Sequence, residues 1–78
     1  MIKSLILYST EGCHLCDNAE RLLRSMPELR RTTVDVVDIA NDATLFSRYG
    51  TSIPVVATHA GAELAWPFNA DDVLQLVS

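Results

Sequence analysis

Apolar residues fill most of positions 2 to 8 (Ile2, Leu5, Ile6, Leu7, Tyr8), the nearly continuous run expected of a central strand covered on both faces. After the turn Ser9-Thr10-Glu11-Gly12 the spacing changes. Leu15, Ala19, Leu22, Leu23 and Met26 recur at helical intervals, and Pro27 closes the segment. Residues 32 to 39 are rich in β-branched side chains, with Val34, Val36 and Val37 interrupted by Asp35 and Asp38, which predicts a second strand with one exposed face. The strand–helix–strand crossover is expected to be right-handed, which makes these two strands parallel.

Asn41 is placed to cap a short helix carrying Leu45, Phe46 and Tyr49 on one face, with Gly50 as its left-handed stop. Residues 54 to 58 read as a third strand, His59-Ala60-Gly61 as a turn, and residues 62 to 66 as a short hairpin partner. Asn69 then caps a last helix with Asp71 and Asp72 in its first turn and Val73, Leu74 and Val77 turned inward. The order βαβαββα predicts an α/β fold, a four-stranded mixed sheet flanked by helices.

With 78 residues, 49% of them hydrophobic, the chain is expected to form a single domain over residues 1–78, too short for a second core and too apolar for disorder. The net charge of −4 leaves no basic surface to neutralise phosphates, so nucleic acid and anionic membranes are not expected as partners. The opening apolar run is far shorter than a signal-peptide core or a membrane span, which makes the cytoplasm the expected compartment. Thiols there stay reduced at rest.

That compartment gives weight to Cys13-His14-Leu15-Cys16, the only cysteine pair in the chain, which opens the first helix-patterned stretch. A helix N-terminus presents unpaired N–H groups and a partial positive charge, so a cysteine there is biased toward the thiolate that attacks disulfides. Residues three apart on a helix have Cβ atoms about 5–6 Å apart, near enough for a disulfide to close. As a structural staple the pair is poor, because so short a loop removes only about 2 kcal/mol of unfolded-state entropy. A zinc site would need two more ligands, and only His14 and His59 are imidazoles, so no metal is expected within one chain. The dithiol reading is carried forward.

A strand, a C-x-x-C opening the next helix, a βαβ unit and Ile53-Pro54 ahead of a hairpin together resemble the thioredoxin superfamily over nearly the whole chain. Thr51-Ser52-Ile53-Pro54-Val55 is similar to the Thr-Val-Pro-type segment of the glutaredoxin-like branch. The stretch from Tyr8 through Cys16, followed later by Trp66-Pro67-Phe68, is similar to small bacterial glutaredoxin-like proteins with a C-H-L-C motif. The resemblance implies a glutaredoxin-type fold, Cys13 as nucleophile, Cys16 as resolving thiol, and Pro54 as a cis-proline whose loop faces the cysteines and presents the Ile53 backbone to substrate. Thr10, His14 and Asn69 are candidate substrate-binding residues beside these: His14 adjoins the nucleophile, Thr10 lies three residues before it, and Asn69 with the last helix's N-terminus is placed to receive a carboxylate.

Two departures bear on the electron donor. Glutathione-using relatives commonly carry lysine three residues before the first cysteine and a Gly-Gly segment before the last helix. Here those positions hold Thr10, with Glu11 beside it, and Trp66-Pro67-Phe68-Asn69-Ala70-Asp71. The expectation is a thiol-disulfide oxidoreductase without a bound cofactor, acting on protein or small-molecule disulfides. It would use glutathione weakly and draw electrons from a reductase or another protein dithiol. The rival is a non-catalytic module that binds a protein through Trp66 and Phe68, or an iron–sulfur cluster. His14 is either a partner of the thiolate or a solvent-facing first-turn residue. Tyr8 and Tyr49 read as core or rim residues whose hydroxyls find partners, and Glu63 as part of a solvated face.

Overall fold

A computed structural model describes residues 4–78; Ile2, assigned above to the first strand, lies outside the described residues. The elements in chain order are β1 (Ser4–Ser9), α1 (His14–Ser25), β2 (Thr33–Asp38), α2 (Ala43–Tyr49), β3 (Val55–Ala57), β4 (Glu63–Ala65) and α3 (Ala70–Val77). The sheet order is β2-β1-β3-β4. β1 and β2 are parallel, while β3 runs antiparallel to both β1 and β4.

Strand alternation sends side chains to two separate cores. Leu5 and Leu7 of β1 and Val56 of β3 pack with Ala19 and Leu23 of α1 and with Val73 and Val77 of α3. On the other face, Tyr8 and Val55 meet Ile39, Leu45 and Tyr49 around α2. Each fully buried leucine or valine here contributes about 1.5–3 kcal/mol over its exposed state. The first strand is therefore central and covered on both faces, by two helices on one side and one on the other.

Several local assignments are corrected. The inward stripe of α1 is Cys16, Ala19 and Leu23, spaced i, i+3, i+7, which turns Leu15 out to 50% exposure. In α2 it is Asp42, not Asn41, that caps, its Oδ1 accepting from the amides of Thr44 and Leu45. Asn41 ends a short 3₁₀ turn, Ile39–Asn41, which α2 follows. Leu45 and Tyr49, four apart, face the core, but Phe46 stands 59% exposed, because it lies about 100° around the helix from Leu45.

Gly50 is not a left-handed stop. Its φ is −53°, and a Cβ at that point would stand 2.5 Å from the Phe46 carbonyl oxygen, so close approach excludes a side chain there. The strands of the hairpin are shorter than expected, Val55–Ala57 and Glu63–Ala65. Thr58 instead starts the turn, its N–H donating to the Ala62 carbonyl and its hydroxyl accepting from the Ala62 amide. Gly61 takes φ +99° in that turn, a conformation glycine adopts without steric penalty.

Candidate active site

Register gathers the candidate residues at one end of the sheet. A row of partners crosses it, Val37 beside Tyr8, Tyr8 beside Val55, and Val55 beside Ala65. Given the strand directions, the chain leaves β1 toward Cys13, leaves β2 at Asp38, enters β3 from Pro54 and leaves β4 toward Trp66 all on the same side. Helices α1 and α3 both begin there, at His14 and Ala70.

Cys13 is the N-cap of α1. Its extended backbone lets the carbonyl accept the first helical bond, from the Asp17 amide at 3.1 Å, while Sγ accepts from the Cys16 amide at 3.1 Å. A sulfur atom thus takes the place usually held by a serine or aspartate oxygen, and in the reduced protein an amide donor at that position favours the thiolate. Gly12, at φ +74°, makes the turn from β1 into this cap. Cys13 is half-buried and Cys16 only 2% exposed; the two form a disulfide with Cα atoms 5.2 Å apart. His14 is exposed on the first turn.

The segment before β3 is organised by Tyr49, whose carbonyl accepts from the amides of Ser52 at 2.8 Å and Ile53 at 3.1 Å. The Ile53–Pro54 peptide is cis. So is Trp66–Pro67, which had no counterpart in the sequence reading. The two are joined, because the Trp66 amide donates to the Pro54 carbonyl at 3.0 Å. Trp66 then meets Phe68 edge to face, ring centroids 5.0 Å apart, and Phe68 is buried in the α1–α3 core. Phe68 is therefore not a surface anchor for a partner, as the rival reading required.

Asn69 caps α3 through a reciprocal box, its Oδ1 accepting from the Asp72 amide at 2.9 Å and its own amide donating to the Asp72 carboxylate at 3.0 Å. Its side-chain oxygen is thus engaged in holding its own helix. Thr10, half-buried after β1, joins Ser9, Glu11, Val36 and Asp38 around a cleft of about 190 Å³ between the ends of β1 and β2. Asp38 is also tied locally, accepting from the Ala40 amide at 2.9 Å.

The sequence reading missed one polar contact. Tyr49, only 5% exposed, stacks on Tyr8 with ring centroids 4.2 Å apart, and its hydroxyl donates to the Glu63 carboxylate on β4. Glu63 is no mere solvated residue. The hydrogen bond first, then burial and the Glu63 charge, push the Tyr49 phenol up to about 12. The Arg48 guanidinium lies 5.3 Å from the Tyr49 ring centroid and 3.6 Å from Glu63. The partners are fourteen residues apart, and no local pattern announces such a pair. Among the described residues no three metal-ligating side chains gather, and no helix is long and apolar enough to cross a membrane.

A C-x-x-C disulfide capping the helix after the central strand of a β2-β1-β3-β4 mixed sheet defines a thioredoxin-like redox module. The particular family follows from comparison. The family model described as Glutaredoxin-like domain (DUF836) matches residues 4–78, and the chain belongs to that glutaredoxin-like family. It is similar to the crystal structure of protein XcR50 from X. campestris, 40% identical over 88% of each chain, with a TM-score of 0.76. The solution structure of XcR50 gives a TM-score of 0.73 over 88% of this chain and 85% of that one. Protein Ne2328 from Nitrosomonas europaea is 25% identical over 100% of this chain and 94% of its own, with a TM-score of 0.83. No curated protein matches the chain.

Proposed function

We propose that this protein is a thiol-disulfide oxidoreductase. The observation that carries the reading is the contrast within the pair, a half-buried Cys13 whose sulfur accepts an amide N–H and a Cys16 sulfur held in the core. In the reduced protein the Cys13 thiolate attacks one sulfur of a substrate disulfide, forming a mixed disulfide and expelling the other as a thiolate. Cys16, deprotonated, then attacks Cys13 Sγ and expels the second substrate thiolate. The substrate disulfide gains two electrons and two protons, and the Cys13–Cys16 disulfide holds the oxidised state until a donor dithiol reverses the exchange. Ile53 and Pro54 border the substrate, and the fold end that joins them to Cys13 supports that role. The protein works in the cytoplasm, without a bound cofactor.

A protein dithiol or a reductase is the donor in this reading. Glutathione is anionic, and acidic Glu11 stands two residues before Cys13 in a chain of net charge −4, while the Asn69 oxygen is occupied by its own helix. Steady-state reduction of a peptide disulfide with glutathione and with a thioredoxin–thioredoxin reductase system as alternative donors tests it. The expected result is turnover with the protein donor, slow turnover with millimolar glutathione, and none in Cys13→Ser. Turnover with neither donor, while Cys13 still alkylates, returns the chain to the class of binding modules.

A further inference from the structure

We infer that Tyr49 and Glu63 act as a latch that positions the Ile53 backbone for substrate, a role for a buried phenol that the thiol chemistry itself leaves unused. The inference rests on the oxidoreductase reading above. Tyr49 holds four neighbours at once. Its ring stacks on Tyr8 of the central strand, its hydroxyl reaches Glu63 on β4, and its carbonyl receives both the Ser52 and the Ile53 amides. Glu63 faces Ala57 across the hairpin, so the hydroxyl bond ties the end of α2 to the far strand of the sheet. The segment from Gly50 to Pro54 is thereby spanned between two anchored ends, Tyr49 on one side and Val55, paired with Tyr8 and Ala65, on the other.

The alternatives for this pair fit less well. A catalytic acid would have to reach the reacting sulfur, yet the Tyr49 phenol points to the outer strand, and its proton is held the more firmly by Glu63. The two amides bond to the Tyr49 backbone, as at many helix ends, and the hydroxyl bond to Glu63 fixes the residue that carries that carbonyl, directly before the Ile53–Pro54 peptide. Arg48 closes the group from the outside, over the Tyr49 ring and near Glu63, and with them it lines a cleft of about 350 Å³ beside Ser52 and Val55.

The test compares wild type with Tyr49→Phe, Glu63→Ala and Glu63→Gln, using a peptide disulfide and the donor that supports wild-type turnover. The Phe variant keeps the stacking and removes only the hydroxyl. A buried hydrogen bond to a charged acceptor is the interaction lost, so KM is expected to rise about tenfold in Tyr49→Phe and Glu63→Ala, with kcat and the Cys13 alkylation rate unchanged. Glu63→Gln, which can still accept from the phenol, is expected to restore most of the loss. Hydrogen exchange at the Ser52 and Ile53 amides is expected to quicken in the first two variants only. An unchanged KM in folded Tyr49→Phe overturns the latch, as does a fall in alkylation rate parallel to turnover. If wild type itself shows no turnover, the oxidoreductase reading fails, and unchanged exchange at Ser52 and Ile53 then separately overturns the restraint.

Discussion

The Cys16 amide donates to the Cys13 sulfur across 3.1 Å, one turn of helix closing on its own cap. Cys16 gives its backbone to the outer sulfur while its side chain is packed at 2% exposure, so the two thiols of the reduced protein differ in both access and charge stabilisation. Limited alkylation near neutral pH, read by peptide mass spectrometry, is expected to label Cys13 at least about tenfold faster than Cys16. Equal rates at the two would remove the nucleophile assignment.

Asn69→Ala removes one half of the box with Asp72 at the start of α3. Loss of such a cap costs about 1 kcal/mol, which lowers Tm by about 4–8 °C in a domain of this size. The alkylation rate of Cys13 is expected to stay as in wild type. A drop in that rate, with Tm unchanged, would mean that Asn69 serves the site rather than its helix.

Gly50→Ala tests the reason for glycine at the end of α2. At φ −53° alanine would ordinarily be tolerated or stabilising, but here its Cβ would stand 2.5 Å from the Phe46 oxygen. Relieving that contact requires the α2 terminus to shift, at a cost of about 1–3 kcal/mol. Chemical denaturation is the measurement, and a variant as stable as wild type would show that the helix end yields freely.

Alkaline pH probes Tyr49. Its folded-state value of about 12 lies above the ordinary 10.0, so as pH rises the unfolded chain gives up this proton first. The stabilisation is whole below pH 10 and is lost as pH climbs through about 12. Melting curves across that window are expected to fall more steeply for wild type than for Tyr49→Phe. Parallel slopes would show that the phenol titrates alike in the folded and unfolded chains.

Much of the fold was legible locally because each signal is short-range. The β-branched and acidic pattern around Val34 to Asp38, the helical spacing of Ala19 and Leu23, the Asn69 cap and the His59-Ala60-Gly61 turn all depend on neighbours a few residues away. So does the dithiol, since Cys13 and Cys16 share one helical turn. Errors arose where apolarity alone was taken for burial. Leu15 and Phe46 are as hydrophobic as their buried neighbours, and only the direction from which the sheet approaches each helix decides that they face out.

The amino-acid sequence by itself determined the order of elements, the place of the cysteines at a helix start and the acidic character of their surroundings, because periodicity, capping and charge are properties of contiguous residues. Only the tertiary structure decided what meets across the sheet: the Trp66 amide on the Pro54 carbonyl, Phe68 drawn into the core, and Tyr49 reaching Glu63. Each of these contacts joins residues twelve or more positions apart, or depends on the core around them. They exist because the antiparallel register of β1, β3 and β4 brings Tyr8, Val55 and Ala65 into one row.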